Sequence, residues 1–393
     1  MSGDFLPYAK QEVTADDIQA VVNALQSPII TRGQETASLE QDFAQACGAD
    51  YAVTFNSGST ALEAAYHAGQ VGPQDRVLTT PVTFVSSISG ALRLGARIVF
   101  IDVDPSTALL DEEQLRVNLE ITPSRGKTVL VPVHYAGAPH DMERIESWIK
   151  EPDCLIIEDA AHALGATYPT GEKVGSCTYS QMTVFSLHPA KHITTGEGGV
   201  VTTNDPELYR SLLFYRNNYL DRDPESVGRA LEPWEYEIRN VSGNYHMTEM
   251  QAALGRSQFT RLDAIVEKRR ALVACYRAAL QGVEHISTLE PDLDALSSHH
   301  LFVALIDFDA VGIKRGELMH RLKEKGIGSQ VHYIPLYRQP LFAENSPCEL
   351  AEFFPGAEAF YERCLSLPLY PAMTEEDVQR VVMELKNVIA AAV

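Results

Sequence analysis

Between Tyr51 and Thr203 seven short apolar runs recur, at 51–55, 76–80, 97–101, 128–133, 154–159, 182–186 and 199–203. Each is too short for a helix and is bounded by turn residues, which predicts strands. Most are apolar throughout rather than alternating, as strands buried on both faces require. Helical stretches separate them, so the region reads as an α/β domain with a largely parallel sheet. Two amphipathic helices precede it. Thr14 is placed to cap DDIQAVVNALQ, and ETASLEQDFAQAC stops at Gly48.

From Met247 the pattern turns helical, and TEMQAALGRSQFTRLDAIVEKRRALVACYRAAL is long enough to connect two domains. Beyond it HHLFVALIDF predicts a strand, RGELMHRLKEKG a helix, and SQVHYIP another strand. TEEDVQRVVMELKNVIAAAV predicts a closing helix capped by Thr374. A chain of 393 residues exceeds the size at which one core stops growing. The expected division is a large domain at 13–261 and a small α/β domain at 262–393, joined by residues 1–12.

The formal charge of -21 argues against a nucleic-acid partner, since no basic stripe exists to replace phosphate counterions. An anionic ligand must therefore be held locally, by helix N-termini and a few placed cations. The six cysteines include no CxxC pair, so neither a zinc site nor a disulfide framework is expected, and no metal is assigned. The opening MSGDFLPYAKQ lacks the pattern of a secretory signal, and no apolar run approaches the roughly 20 residues of a membrane span. These features together predict a cytoplasmic protein.

Open parallel sheets bind ligands at the carboxyl ends of their strands. The stretch FSLHPAKHITTGEGG, Phe185 to Gly199, holds Lys191 between two strand runs. A lysine walled in at a strand end loses hydration, its pKa falls, and its amine becomes a nucleophile for an aldehyde. Asp159 ends the apolar run CLIIED, an expensive place for a carboxylate unless it is paired. A pyridinium nitrogen is a suitable partner, and His162 follows one helical turn later. Ser59 and Thr60 open a helix after YAVTF and can turn N–H groups and hydroxyls onto a phosphate, with Ser186 adding another. Phe84 in PVTFVSS can lie on a planar ring, and His188 is close enough to Lys191 to line the same pocket. Each part alone also has an ordinary reading: a surface lysine, a helix-capping acid, a core phenylalanine, an N-cap. Jointly, an aspartate at a strand end and a lysine one further strand on is the order used by pyridoxal 5'-phosphate (PLP) enzymes of the aspartate-aminotransferase fold, fold type I.

The segments PYAKQEVTADDIQAVVNAL, NSGSTAL, TPVTF, IEDAAHALGA, FSLHPAKHITTGEGG, NYHMTEMQAALG, VHYIPLYRQP and LSLPLYPAMTEEDV carry a family likeness over essentially the whole length. The chain resembles the DegT/DnrJ/EryC1/StrS family of sugar aminotransferases. Within that family, HPAKHITTGEGG with VHYIP is most similar to the transaminases of pseudaminic acid synthesis. The resemblance implies a large domain with a mostly parallel seven-stranded sheet and a small C-terminal domain. It also implies that Lys191 carries the cofactor aldehyde, Asp159 meets the pyridine nitrogen, and His162 contacts the ring. Ser59, Thr60 and Ser186 become phosphate ligands and Phe84 the stacking ring. Asn244 is implied to reach the phosphate of a neighbouring subunit, making a homodimer with shared sites the working unit. Tyr8, Thr31, His188, His332 and Tyr333 fall where contact with a nucleotide sugar is implied.

The implied reaction moves an amino group from L-glutamate to C4 of a UDP-linked 4-keto-6-deoxy-N-acetylhexosamine. Alternatives are a dTDP-linked or 3-keto sugar, a PLP-dependent sugar dehydratase, or a non-enzymatic regulator on the same scaffold. Lys191 stands where the dehydratases have histidine, and the intact Lys191–Asp159 pair speaks against a regulator. The chain differs from the family pattern at His246 (usually arginine), at RNNYL (216–220), at Gln34 after TRG, at Gln181 and at Tyr337. All but Gln181 are expected near substrate.

Overall fold

The computed structural model describes residues 5–120, 125–343 and 350–391. The seven apolar runs form one sheet: β1 (Tyr51–Phe55), β2 (Arg76–Thr79), β3 (Arg97–Phe100), β4 (Thr128–Val131), β5 (Leu155–Asp159), β6 (Met182–Ser186) and β7 (Gly199–Thr203). Their order is β1-β7-β6-β5-β4-β2-β3. The strands from β3 through β6 pair in parallel, whereas β7 is antiparallel to both β6 and β1. The reason is local. A parallel return needs a crossover of a dozen or more residues, usually a helix, and the segment from Leu187 to Gly198 contains no helix. The chain instead doubles back at the carboxyl edge of the parallel strands, and that turn carries Lys191.

Successive residues of one strand face opposite layers. Ile156 and Phe185 pack with Leu39 and Phe43 on one face, while Ile157 and Val184 pack with Ala61, Leu62 and Tyr66 of the helix after β1 on the other. Each such side chain removed from water contributes roughly 1.5–3 kcal/mol. The helices ahead of β1 are α1 (Ala15–Gln26) and α2 (Gln34–Cys47), and α3 is Gly58–Ala68. Thr14 caps α1 through a reciprocal box with Asp17, and Gly48 ends α2 in the left-handed region at φ 76°. The same alternation buries Glu158 on the face away from Asp159. Its carboxylate accepts from His134 Nε2 at 2.7 Å, Tyr168 Oη at 2.6 Å and Thr183 Oγ1 at 3.1 Å. Burial pushes its pKa up, but hydrogen bonds from His134, Ser180 and Tyr168 outweigh that and hold it below the usual value.

The helical run after Met247 is two helices, Glu249–Phe259 and Leu262–Leu280, interrupted at Thr260 and Arg261. The second helix starts in one core and ends in another. Leu262, Ile265 and Val266 pack under the large sheet. Leu272, Val273, Tyr276 and Leu280 pack with a three-stranded antiparallel sheet and the helix Glu375–Ala390. That sheet holds β10 (Ile286–Thr288), β11 (Phe302–Ile306) and β12 (Cys364–Leu367); β8 (Leu220–Asp221) and β9 (Glu237–Ile238) form a separate hairpin. Leu6 joins the second core and bridges to Ile327. We propose that the two units expected at 13–261 and 262–393 meet along the helix Leu262–Leu280.

One expected strand is absent. SQVHYIP pairs with the backbone of the small sheet through an isolated bridge between Gln330 and Ser366. In a strand, neighbouring side chains would point to opposite faces. Here His332 and Tyr333 line the same cavity, and the backbone leaves the sheet to allow it. Among the described residues, no helix is long and apolar enough to cross a membrane.

Candidate active site

A cavity of about 570 Å³ lies beyond the carboxyl ends of β5 and β6, closed on its far side by the segment 330–333. Lys191 enters it from the β6–β7 turn. That turn is held by its own hydrogen bonds: Lys191 N–H donates to the His188 carbonyl at 2.8 Å, and Thr194 Oγ1 and Thr195 N–H both donate to the Leu187 carbonyl. The residue remains partly exposed along the cavity wall, while its amine lies deep, 3.5 Å from His300 Nε2. Burial pushes the Lys191 pKa down from 10.5 to about 8, with Asp159 partly opposing the shift. The neutral amine is the nucleophile. In the full-length protein freed of cofactor, reductive methylation of Lys191 should therefore rise with pH to a plateau, with its midpoint near 8. Peptide mass spectrometry reads this directly, and a midpoint at the ordinary lysine value would show a solvated side chain.

Asp159 ends β5 and is 5% exposed. Its Oδ2 accepts from Ser87 Oγ at 2.6 Å and its Oδ1 from the Ala161 N–H at 3.1 Å. Ser87 Oγ is in turn 2.7 Å from Thr83 Oγ1, and the Ser87 carbonyl accepts from the buried Tyr66 hydroxyl. The carboxylate is thus oriented from below, in the cavity that Lys191 also lines. His162 bonds Tyr333 Oη through Nε2 at 3.1 Å, while its buried Nδ1 has no partner. Burial, and then the charge of Lys191, drives its pKa well down, so it is a neutral ring. Phe84 stands at the mouth with 58% of its surface open, its ring 6.2 Å from that of Tyr333.

The floor is built where α3 begins. A Cβ at Gly58 would come within 3.0 Å of Ser186 Cβ and 3.1 Å of its Oγ, so glycine is what lets Ser186 approach the helix N-terminus. Ser59 Oγ lies 2.6 Å from Ser86 Oγ at the same rim. Thr60 does not line the cavity. It forms the capping box with Ser57 and donates to Asn56 Oδ1 at 2.8 Å, holding the helix start rather than facing a ligand. A glycine-bared helix N-terminus with hydroxyls, a buried acid, a lysine of low pKa and an unpartnered imidazole nitrogen fit the phosphate, pyridine nitrogen, aldehyde and ring substituent of PLP.

Tyr8, His188, His332 and Tyr333 also reach this cavity. His332 Nδ1 bonds Ser366 Oγ at 2.8 Å, and its ring lies 5.4 Å from Tyr8. Burial and then Lys191 lower its pKa to about 4. Thr31 and Asn244 do not reach it. Both are exposed: Thr31 bridges to Thr248, and Asn244 bridges to Asn217. His246 Nε2 sits 3.2 Å from Asn217 Oδ1; burial first, then Arg216 and Arg32, lower its pKa to about 4. Contrary to expectation, Tyr337 faces away from the cavity and donates to Glu358 Oε1 at 2.6 Å. Gln181 accepts from the Ile156 N–H at 2.7 Å and serves the sheet. Sequence reasoning missed Thr83, Ser87, Glu197 and His300. For the first two a signal existed, the hydroxyls flanking Phe84; for His300 there was none.

A lysine turn facing a buried aspartate across the carboxyl edge of a largely parallel sheet defines a PLP-dependent transferase of the aspartate-aminotransferase type. Residues 11–386 match the DegT/DnrJ/EryC1/StrS aminotransferase family, and the chain belongs to it. It is 34% identical over 389 residues to the spore coat polysaccharide biosynthesis protein SpsC of Bacillus subtilis, covering 99% of this chain and 98% of that one. Helicobacter pylori PseC, an aminotransferase involved in the biosynthesis of pseudoaminic acid, superposes with a TM-score of 0.87 at 27% identity, over 99% of this chain and 100% of PseC. The PLP form of Spr1654 of Streptococcus pneumoniae gives 0.86 at 27% identity and covers 99% of this chain and 100% of that one. The protein is a PLP-dependent sugar aminotransferase of nucleotide-sugar biosynthesis.

Proposed function

We propose that the protein transfers the amino group of L-glutamate to C4 of a UDP-linked 4-keto-6-deoxy-N-acetylhexosamine, in a pseudaminic acid-type pathway. The observation that carries this reading is the gathering of His332 and Tyr333, from a distant segment, on the wall opposite Lys191. A neutral imidazole and a phenol offer hydrogen bonds to sugar hydroxyls and a diphosphate without the bulk of arginine. The likeness to PseC supports the same substrate class.

Pyridoxal phosphate, when bound, supplies an aldehyde that takes the amino group and a protonated ring that withdraws electrons from the carbon losing its proton. Ser59, Ser186 and the N-terminal N–H groups of α3 would hold its phosphate, with Thr60 fixing that helix start. Asp159, held by Ser87 and Ala161, would keep the ring nitrogen protonated; Phe84 would cover one ring face and His162 contact its edge. Lys191 would hold the cofactor through its amine and would carry the proton at the reacting carbon. A positioned base of this kind contributes typically ~10²–10⁴-fold. Tyr8, His188, His332 and Tyr333 would orient the nucleotide sugar in the cavity of their own chain, and Thr31 would reach it in the neighbouring copy. The free thiols among the described cysteines suit a reducing, cytoplasmic setting.

Asn244 and Thr31 lie outside their own chain's cavity, and Ile29, Ile30, Phe84, Trp234 and Val241 are exposed. A second copy covering these residues and lending Asn244 to the neighbouring phosphate accounts for both. Mixing inactive Lys191→Ala with inactive Asn244→Ala subunits is then expected to restore activity, because one site of each hybrid dimer receives both intact residues. No recovery in hybrids shown to form would count against sharing. Substrate is tested by supplying purified protein and L-glutamate with UDP- and dTDP-linked 4-keto sugars, with products read by mass and by NMR at C4. A UDP-linked 4-amino product is expected. Preference for a dTDP-linked sugar, or amination at C3, would overturn the substrate assignment and leave the PLP chemistry standing.

A further inference from the structure

Four buried imidazoles surround Lys191, and their ring nitrogens are not equally committed; His332 Nδ1 is taken by Ser366 Oγ at 2.8 Å. His162 Nε2 is taken by the Tyr333 hydroxyl at 3.1 Å. His192 Nε2 is taken by the Ser298 carbonyl at 2.9 Å. His300 Nε2 is directed at the lysine amine itself, at 3.5 Å. His300 lies just ahead of β11, in the sheet of the second core, yet its loop is fastened to the wall of the cavity. Its N–H donates to the Ala136 carbonyl at 2.7 Å, and the preceding Ser298 N–H donates to Gly137 at 3.1 Å. A Cβ at Gly137 would stand 2.7 Å from the His299 nitrogen and 2.9 Å from that of His300, so the close approach requires glycine. Arg269, buried to 1% exposure, donates to the carbonyls of His299, His300 and Leu369 at 3.1–3.2 Å. The His300 ring is stopped on its other side by His162, with centroids 4.3 Å apart.

We propose that His300 is the positioning residue of Lys191: its neutral Nε2 accepts one N–H of the released lysine and aims the amine at the reacting carbon. The inference rests on the reading of Lys191 as the proton carrier. An ammonium is a donor only, so for Nε2 to accept from it the ring proton must sit on Nδ1, which is itself buried without a hydrogen-bond partner. Lys191 takes the proton from carbon, becomes an ammonium, and gives the same proton on. His300 holds one of the three ammonium hydrogens and neither gains nor loses a proton of its own. Burial, then Lys191, His162 and His192, press its pKa well down, consistent with a permanently neutral acceptor. The titratable groups around the amine are Asp159, His162, His192, His300 and His332, and of these only Asp159 favours the lysine charge through its own charge.

The test compares full-length His300→Phe and His300→Gln. In the loaded enzyme, His300→Phe should lower kcat about 10–100-fold with the sugar KM little changed, as a misplaced reacting group does. His300→Gln, which keeps an acceptor, should recover most of that loss. In the cofactor-free protein, the midpoint of Lys191 reductive methylation should move below 8 in His300→Phe, because an acceptor for the ammonium is replaced by an apolar ring. A merely structural role predicts the opposite sign, since a loosened pocket hydrates the lysine and moves the midpoint up toward 10.5. An unmoved or raised midpoint, or equal kcat in the two variants, overturns the proposal. Retention of activity in Lys191→Ala would instead overturn the reading on which it rests.

Discussion

Lys191→Ala is expected to lower turnover by about 10³-fold or more, the upper part of the range for a positioned acid–base group to which a covalent role is added. The fold should survive. Lys191 sits in a turn whose hydrogen bonds are made by its backbone and by Thr194 and Thr195, not by its side chain. Removing a buried amine that burial already disfavours as a cation leaves no carboxylate stranded, because Asp159 keeps Ser87 and Ala161. Thermal unfolding should therefore shift by no more than a few degrees. The variant should also retain pyridoxal phosphate, since α3, Ser59 and Ser186 are untouched, but as a complex that dialysis removes. Turnover by mass, a melting curve and absorbance before and after dialysis check the three parts. Near wild-type amination by Lys191→Ala would refute the role assigned to this turn.

Asp159→Asn should reduce kcat by about 10²–10³-fold, the usual cost of removing one preorganised charge from a closed site, with a smaller effect on cofactor retention. An amide cannot hold the ring nitrogen as a cation. Its packing is otherwise preserved: the amide oxygen can still accept from the Ala161 N–H, and the amide N–H can donate to Ser87 Oγ, which has Thr83 beside it. The loss should thus appear in the proton-transfer rate rather than in stability. Equal turnover in wild type and Asp159→Asn would mean that the carboxylate only anchors Ser87 and the turn after β5.

What was legible in the sequence was local. The seven strands were visible as short apolar runs between turn residues, because all but the half-exposed edge strand β3 are covered on both faces and have no polar side to interrupt them. The helix starts at Thr14 and Thr374 were legible because a capping box is closed within four residues. Lys191 and Asp159 were singled out because a charged side chain after an apolar run must find a partner or a purpose. Family likeness added the roles of the parts and the class of substrate.

Only the tertiary structure decided how those pieces face one another. The reversal of β7 depends on the missing crossover and on pairing with both β6 and β1. SQVHYIP has the composition of a strand, but its side chains are claimed by the cavity and by Ser366, a partner far along the chain. Thr60 is absorbed by its cap, and Tyr337 by Glu358. His300 beside Lys191 comes from a segment that nothing in the local pattern connects to the site, and Ser87, though its hydroxyl near Phe84 was visible, meets Asp159 only through the fold. Propensity and periodicity act over a few residues, so they determine which elements form and where chemistry can sit. Which nitrogen meets the lysine, and which hydroxyl holds the acid, is set by contacts between residues distant in sequence, and these exist only once the two cores have packed.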